Sequence, residues 1–325
     1  MAINVVYSAD ANYKEIMGIS LTSLLTHASQ RVDVYIIGWE LGNVSAFRQF
    51  EKDYNCSLTF IDFSNFEKQL VLSENLWNLS KSSYARLLLT EMLPAGVDRC
   101  IYIDSDTIIN DDFSEYYWDS DLENYMAEGV IDTASDDTKE KTGIPTNALY
   151  FNAGILLVNL KLWRERKVIQ DFFHYISDCN GAVFHHDQGV INHCLCGQIK
   201  PLPPRVNAMS PYFMMRYSVI LRLYHLVPEK YYSPVEIEEA KSYPIIIHYT
   251  EALTTRPWYK NCAHPMREQF INNQRRSYWP EFEYKKDTRA WKMKMIDMLY
   301  RTFPFSFANT LINAVSLAKR KLKRL

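Results

Sequence analysis

Asp104-Ser105-Asp106 places two carboxylates at the polar end of the apolar run Cys100-Ile101-Tyr102-Ile103, where a buried strand leaves the core. Side chains two apart in an extended segment project to one side, so both carboxylates can reach one hard divalent cation. Such an ion can neutralise the charge that develops on a departing diphosphate. Loop and cap carboxylates of the same spacing are the alternative at this point.

Other polar residues fall at comparable places. Asp10 follows the apolar run Ile3-Asn4-Val5-Val6-Tyr7, Asp132 follows Gly129-Val130-Ile131, and His248 closes Pro244-Ile245-Ile246-Ile247. Asn152 and Gly154 interrupt the run Tyr150–Asn159, where a glycine implies close approach of backbone or ligand and an amide can grip sugar hydroxyls. Asp187 and Gln188 start a helical stretch, so a capping role competes with a role in a site. A turn or cap role competes equally at Asp132.

The elements that must position these residues alternate along the chain. Asn4 to Ser8, Val32 to Ile37 and Leu58 to Phe63 read as strands, separated by helical patterns over Ile16–Leu25 and Ala46–Tyr54. Ser82–Met92 reads as a third helix before the strand that ends in the aspartates, and Leu160–Tyr175 as a later one. Continuous apolar strands alternating with helices predict an α/β fold with a mostly parallel sheet covered on both faces. Such sheets bind ligands beyond the carboxyl ends of their strands, where Asp10, Asp104, Asp106 and His248 fall.

Composition excludes several classes. At 325 residues with 47% hydrophobic and 14% aromatic side chains, the chain can bury a large core. The net charge of −2 hides an acidic body and a basic end: nine Lys or Arg against one Asp follow residue 288. That balance argues against nucleic-acid binding and for a tail meeting an anionic surface. The six cysteines show no disulfide framework, and Cys194 and Cys196 lack the second matching pair of a zinc site. No signal-peptide pattern and no stretch of spanning length is present, which predicts a cytoplasmic protein.

Six motifs in order resemble glycosyltransferase family 8, the retaining, metal-dependent bacterial lipopolysaccharide and lipooligosaccharide galactosyl- and glucosyltransferases. They are Tyr7–Tyr13, Ser83–Leu87, Tyr102–Asp106, Phe151–Gly154 with Asn159–Arg164, Asp187-Gln188, and His248-Tyr249 with Pro257-Trp258. The resemblance implies a GT-A fold of the nucleotide-diphospho-sugar transferase type over residues 1–280, followed by a basic amphipathic, helical extension over 281–325. It implies Asp104, Asp106 and His248 as ligands of Mn²⁺ or Mg²⁺, a set of oxygens and one imidazole that suits such ions. Donor contacts are implied for Ala9, Asp10, Asn12, Tyr13, Arg86, Asp104, Ser105, Asp132, Asn152, Ala153 and Arg256, with Tyr13 stacking the base and Asp10 reading its edge. Gln188 and Asp187 are implied as the catalytic residues. Where the family often carries Gly and Lys between the histidine and Pro-Trp, this chain has no glycine and Arg256 in the lysine's place.

The implied reaction moves glucose or galactose from UDP-glucose or UDP-galactose to a hydroxyl of a glycan or glycolipid acceptor in cell-surface polysaccharide synthesis. An amide is a poor nucleophile, so Gln188 points away from a covalent intermediate and toward a same-face route. A self-glycosylating initiator, an inactive carbohydrate-binding relative and a metal-dependent phosphohydrolase are the alternatives; the last normally wants further carboxylates. The C-terminal mix from Trp291 through Phe303, Phe305, Phe307, Val315 and Leu317 to Lys319–Arg324 predicts peripheral binding to the anionic inner face of the plasma membrane.

Overall fold

The computed structural model describes residues 2–66, 81–120, 122–304, 306–308 and 310–312. The described residues form ten strands: β1 (Ile3–Asp10), β2 (Val32–Trp39), β3 (Cys56–Asp62), β4 (Arg99–Asp104), β5 (Thr107–Ile109), β6 (Ala127–Ile131), β7 (Phe151–Asn159), β8 (Ile199–Pro201), β9 (Ala208–Met209) and β10 (Ile246–His248). Seven make the central sheet in the order β3-β2-β1-β4-β7-β6-β8. Only β7 runs against the others, pairing antiparallel with β4 and β6. The sheet is therefore mostly parallel, as the alternation of apolar runs and helices predicts. The inserted antiparallel strand has no sequence signature, because its apolar run is as continuous as those of its neighbours.

Ile3, Val5, Val6 and Tyr7 of β1 are all fully buried, as a central strand covered on both faces requires. The helix Lys14–His27 follows, and every residue from Ile16 to Leu25 is buried. It is buried all round because Trp279 packs where a Cβ on Gly18 would stand, and because Ser23 Oγ accepts the Ile109 N–H at 2.9 Å. Each buried Leu or Ile side chain contributes about 1.5–3 kcal/mol by leaving water.

Three expected helices differ in detail. Over 46–54 the chain makes a 3₁₀ turn, Ser45–Gln49, then one α-turn, Phe50–Asp53. Phe47 and Phe50 are the buried residues, and this i, i+3 spacing suits the tighter helix. Ser82–Met92 is 3₁₀ over Lys81–Leu88 and α-helical only over Leu89–Met92. The helix expected over Leu160–Tyr175 breaks at Lys167, whose φ of 55° separates Leu160–Arg166 from Val168–Asp178.

A small second sheet, β5-β10-β9, brings distant parts of the chain to the end of β4. β10 pairs antiparallel with β5, setting His248 opposite Thr107, and the Tyr249 N–H donates to the Asp106 carbonyl at 2.9 Å. At the C-terminal side, Lys285 pairs with Trp258 through its backbone N–H at 2.8 Å. The helix Trp291–Thr302 is tied down by Arg289, which bridges Asp287 at 3.2 Å and Asp297 at 2.8 Å. Trp291, Met293, Met298, Phe303, Phe307 and Leu311 are exposed there. Phe305, Val315, Leu317 and Lys319–Arg324 lie outside the described residues.

Candidate active site

Asp104 is the last residue of β4, and Ser105-Asp106 form the turn into β5. The two carboxylates thus converge through a turn rather than through the two-residue period of a strand. Thr107 Oγ1 holds the turn by donating to the Asp104 carbonyl at 2.8 Å, and Ser105 Oγ donates to the Ser8 carbonyl at 2.9 Å. Ser105 is therefore occupied by the scaffold of β1.

His248 arrives on β10. Its Nε2 lies 3.3 Å from Asp106 Oδ1 and 3.9 Å from Asp104 Oδ2. Ligand atoms of Asp104, Asp106 and His248 all fall within 4.8 Å of one another, the one such group of three among the described residues. Gly154 leaves the space for them. A Cβ there would collide with the His248 ring and stand 2.8 Å from Asp104 Oδ2. Hard oxygen donors plus one imidazole, in a hollow that a methyl group would fill, fit a divalent cation of the Mn²⁺ or Mg²⁺ type.

Each aspartate also faces an arginine. Arg86 Nη2 contacts Asp104 Oδ1 at 2.7 Å, and Arg256 Nη2 contacts Asp106 Oδ2 at 3.4 Å. Burial pushes the Asp104 carboxyl above its ordinary value despite Arg86. Burial would raise Asp106 too, but Arg256 and His248 outweigh it and hold that carboxyl below the usual range. Burial opposes charge on His248, and Asp106 overcomes it, so the imidazole is raised.

The nucleotide residues expected from sequence surround the end of β1. Ala9 is buried and Asn12 exposed. Asp10 Oδ1 accepts the N–H groups of Asn12 and Tyr13 at 2.9 and 3.1 Å, so one carboxylate oxygen fixes the turn into the helix. Tyr13 meets Trp258 edge-on at 5.8 Å, and its hydroxyl pairs with Arg256 Nη1 at 2.6 Å. Burial pushes its phenol up to about 12. Leu253, in the loop that carries Arg256, has a φ of 51°, a left-handed conformation that glycine adopts without cost. Glu251 of the same loop is exposed.

A model of glycosyl transferase family 8 matches residues 4–262. The chain belongs to glycosyl transferase family 8. A putative glycosyltransferase of Haemophilus influenzae is 29% identical over 215 residues, 63% of either chain, so the match spans less than two thirds of that relative. A lipopolysaccharide 1,2-glucosyltransferase of Escherichia coli is 26% identical over 270 residues, 81% of this chain and 75% of that one. Among solved structures, the galactosyltransferase LgtC in complex with donor and acceptor sugar analogs superposes with a TM-score of 0.69. It is 21% identical over 85% of this chain and 96% of that one, a likeness of fold that makes this family-8 chain GT-A.

In this glycosyltransferase the remaining expected residues form one polar wall. Asp187 Oδ2 takes Arg86 Nε at 2.9 Å, and Arg86 Nη1 donates to the Ala153 carbonyl. Gln188 Oε1 accepts the Ala153 N–H at 3.0 Å, while its Nε2 donates to Asp132 Oδ2 at 2.8 Å. Asn152 Nδ2 reaches the same Asp132 oxygen at 3.1 Å. Asp187 and Gln188 owe their place to a sharp turn: His185 and His186 both have positive φ, 57° and 54°. Gly189 follows, where a Cβ would collide with the Phe184 carbonyl. Of the two cysteines weighed as a zinc pair, Cys194 donates its Sγ–H to the Asp171 carbonyl at 3.6 Å, and the neighbouring His193 stacks its ring on Tyr175.

Sequence reading missed two partners. Tyr102 donates to Asp104 Oδ1 at 3.1 Å and lies under the Arg86 guanidinium at 4.3 Å; it reads simply as a core aromatic. Asn207, fully buried, contacts His248 Nδ1 at 2.9 Å. It follows the proline-rich run Pro201–Pro204, where no periodicity points to a site.

Proposed function

We propose that this family-8 transferase moves a hexose, glucose or galactose, from its UDP-sugar to a hydroxyl of a glycan or glycolipid acceptor, with retention of configuration at the anomeric carbon. The observation that carries the reading is the convergence of Asp104, Asp106 and His248 from β4, its turn and β10, with an arginine on each aspartate. The lipopolysaccharide glucosyltransferase and the galactosyltransferase LgtC among its likenesses support the sugar class. Asp104, Asp106 and His248 would hold Mn²⁺ or Mg²⁺, which supplies charge neutralisation to the leaving diphosphate.

The protein's own groups do the rest. Arg256 has a buried Nε with no hydrogen-bond partner, a donor left for a phosphate oxygen. Tyr13, packed edge-on against the buried Trp258, offers its aromatic face to uracil, with Ala9, Asp10 and Asn12 along the base and ribose. Arg86, Asp132, Asn152, Ala153 and Asp187 bind the sugar hydroxyls. Both ends of the Gln188 amide are engaged, its oxygen by the Ala153 N–H and its nitrogen by Asp132. An amide so held positions the sugar and is no nucleophile, which supports departure of UDP and attack of the acceptor on one face.

No helix among the described residues is long and apolar enough to cross a membrane. The exposed apolar residues of Trp291–Thr302 and Phe303, Phe307 and Leu311 support docking of the 281–325 extension on the anionic inner face of the plasma membrane. The test is UDP release from UDP-glucose and UDP-galactose with Mn²⁺, with and without lipooligosaccharide core acceptors. Acceptor-dependent UDP release with one donor is expected; silence with every donor, or phosphate release instead, overturns the reading.

A further inference from the structure

We infer that Asn207 is a positioning residue for the metal-facing imidazole: it fixes His248 in the tautomer with its proton on Nδ1, leaving the Nε2 lone pair directed at the two aspartates. The inference rests on the cation site proposed above.

The assignment follows from donors that have no choice. The Gly154 backbone N–H can only donate, so the Asn152 atom 3.0 Å away is its carbonyl oxygen. Its amide nitrogen then faces Asp132 Oδ2 at 3.1 Å and Gln188 Oε1 at 3.4 Å, both acceptors, and the Gln188 oxygen is itself identified by the Ala153 N–H. Asn152 Oδ1 takes a second bond, 2.9 Å, from Asn207, whose contacting atom must be the NH₂ donor. The opposite end of that amide is therefore the oxygen, and it faces His248 Nδ1 at 2.9 Å. Only Nδ1–H satisfies that contact.

Without Asn207 the preference reverses. Asp106 Oδ1, 3.3 Å from Nε2, is the strongest acceptor near the ring and would draw the single proton of a neutral imidazole to Nε2. A proton there occupies the lone pair a cation needs. Asn207 is fully buried at the end of the 3₁₀ turn Pro204–Asn207, beside β9, whose Met209 is in register with His248. The amide is thus held by the strand next to the ligand it orients, and it links that ligand through Asn152 to Asp132 and Gln188.

The test uses the metal-free wild-type chain, Asn207→Ala and Asn207→Asp. Nitrogen-15 NMR of labelled histidine, at alkaline pH where the ring is neutral, reports which nitrogen carries the proton. Titration of Mn²⁺ followed by electron paramagnetic resonance reports affinity without turnover. The wild type should show Nδ1–H, and Asn207→Ala should move the proton to Nε2 and weaken Mn²⁺ about 10–100-fold. Asn207→Asp keeps an acceptor for Nδ1 but loses the donor to Asn152, so it should restore Mn²⁺ binding while raising the KM for the sugar donor. An Nε2–H tautomer in the wild type, or Asn207→Ala binding Mn²⁺ as the wild type does, overturns the inference. Should Asn207→Ala fail to fold, the wild-type tautomer and Asn207→Asp still decide. Absence of Mn²⁺ binding in the wild type would sink the cation site instead, and the tautomer would still test Asn207.

Discussion

Arg86 and Arg256 each reach one aspartate of the pair, but from different surroundings. Arg86 sits on the 3₁₀ segment Lys81–Leu88 with its side chain 6% exposed, and all three of its nitrogens are engaged by Asp104, Asp187, Ser83 and Ala153. Arg256 comes from a loop, is 25% exposed, and makes one longer ion pair and one bond to Tyr13. The difference separates two tasks. A guanidinium held at all three nitrogens is a fixed part of the wall; one with an unpartnered Nε can change partners when a diphosphate enters.

The comparison predicts unlike losses, greatest on the Arg86 side. Arg86→Ala leaves the buried Asp187 and the half-buried Asp104 without their cation and should destabilise the fold by about 3–5 kcal/mol in urea unfolding, with turnover abolished. A loss below about 1 kcal/mol would show that the wall does not depend on this residue.

The Arg256 side should be the acid-sensitive one. His264 anchors that loop's end by accepting the Met266 N–H at 3.1 Å and contacting Ser210 Oγ at 3.1 Å, and burial lowers its value from 6.5 to about 4. A folded value below the unfolded one means the unfolded chain takes the proton first. This contribution is thus intact above the unfolded value of 6.5 and is lost as pH falls toward about 4. The loss amounts to about 3 kcal/mol at most. His264→Gln should flatten the decline in stability measured between those pH values, and an unchanged slope would remove His264 as its cause.

Arg256→Ala should cost less stability than Arg86→Ala, because its one ion pair is 3.4 Å long and Asp106 keeps His248 at 3.3 Å. Its kcat/KM should fall about 10–100-fold, or about 1.4–2.7 kcal/mol of transition-state binding. Tyr13→Phe, which removes only the hydroxyl that holds Arg256, should cost about 0.5–1.5 kcal/mol by the same kinetics. Equal destabilisation by Arg86→Ala and Arg256→Ala would erase the distinction.

What the sequence disclosed follows the same division. β1 to β4 were legible because apolar runs and helical stripes are local, and the Asp104-Ser105-Asp106 turn sits where such a strand ends. Lys167 and the paired left-handed His185 and His186 were invisible, since no residue type there demands a positive φ. The meeting of His248 with Asp106 depends on β10 pairing with β5 across more than a hundred residues, which spacing cannot show. The strand-end position of His248 and the ordered motifs of the family pointed to it. Asn207 lacked even that, for its role comes entirely from the amides and ring around it.

The central claim is that one cation joins Asp104, Asp106 and His248 and serves the donor's diphosphate. Calorimetric titration of Mn²⁺ into the wild type, Asp106→Asn and His248→Ala, each with and without UDP, tests it most directly. The account predicts a single Mn²⁺ site that tightens with UDP and is lost in both variants; variants that bind Mn²⁺ as the wild type does, or a wild-type site indifferent to UDP, would contradict it.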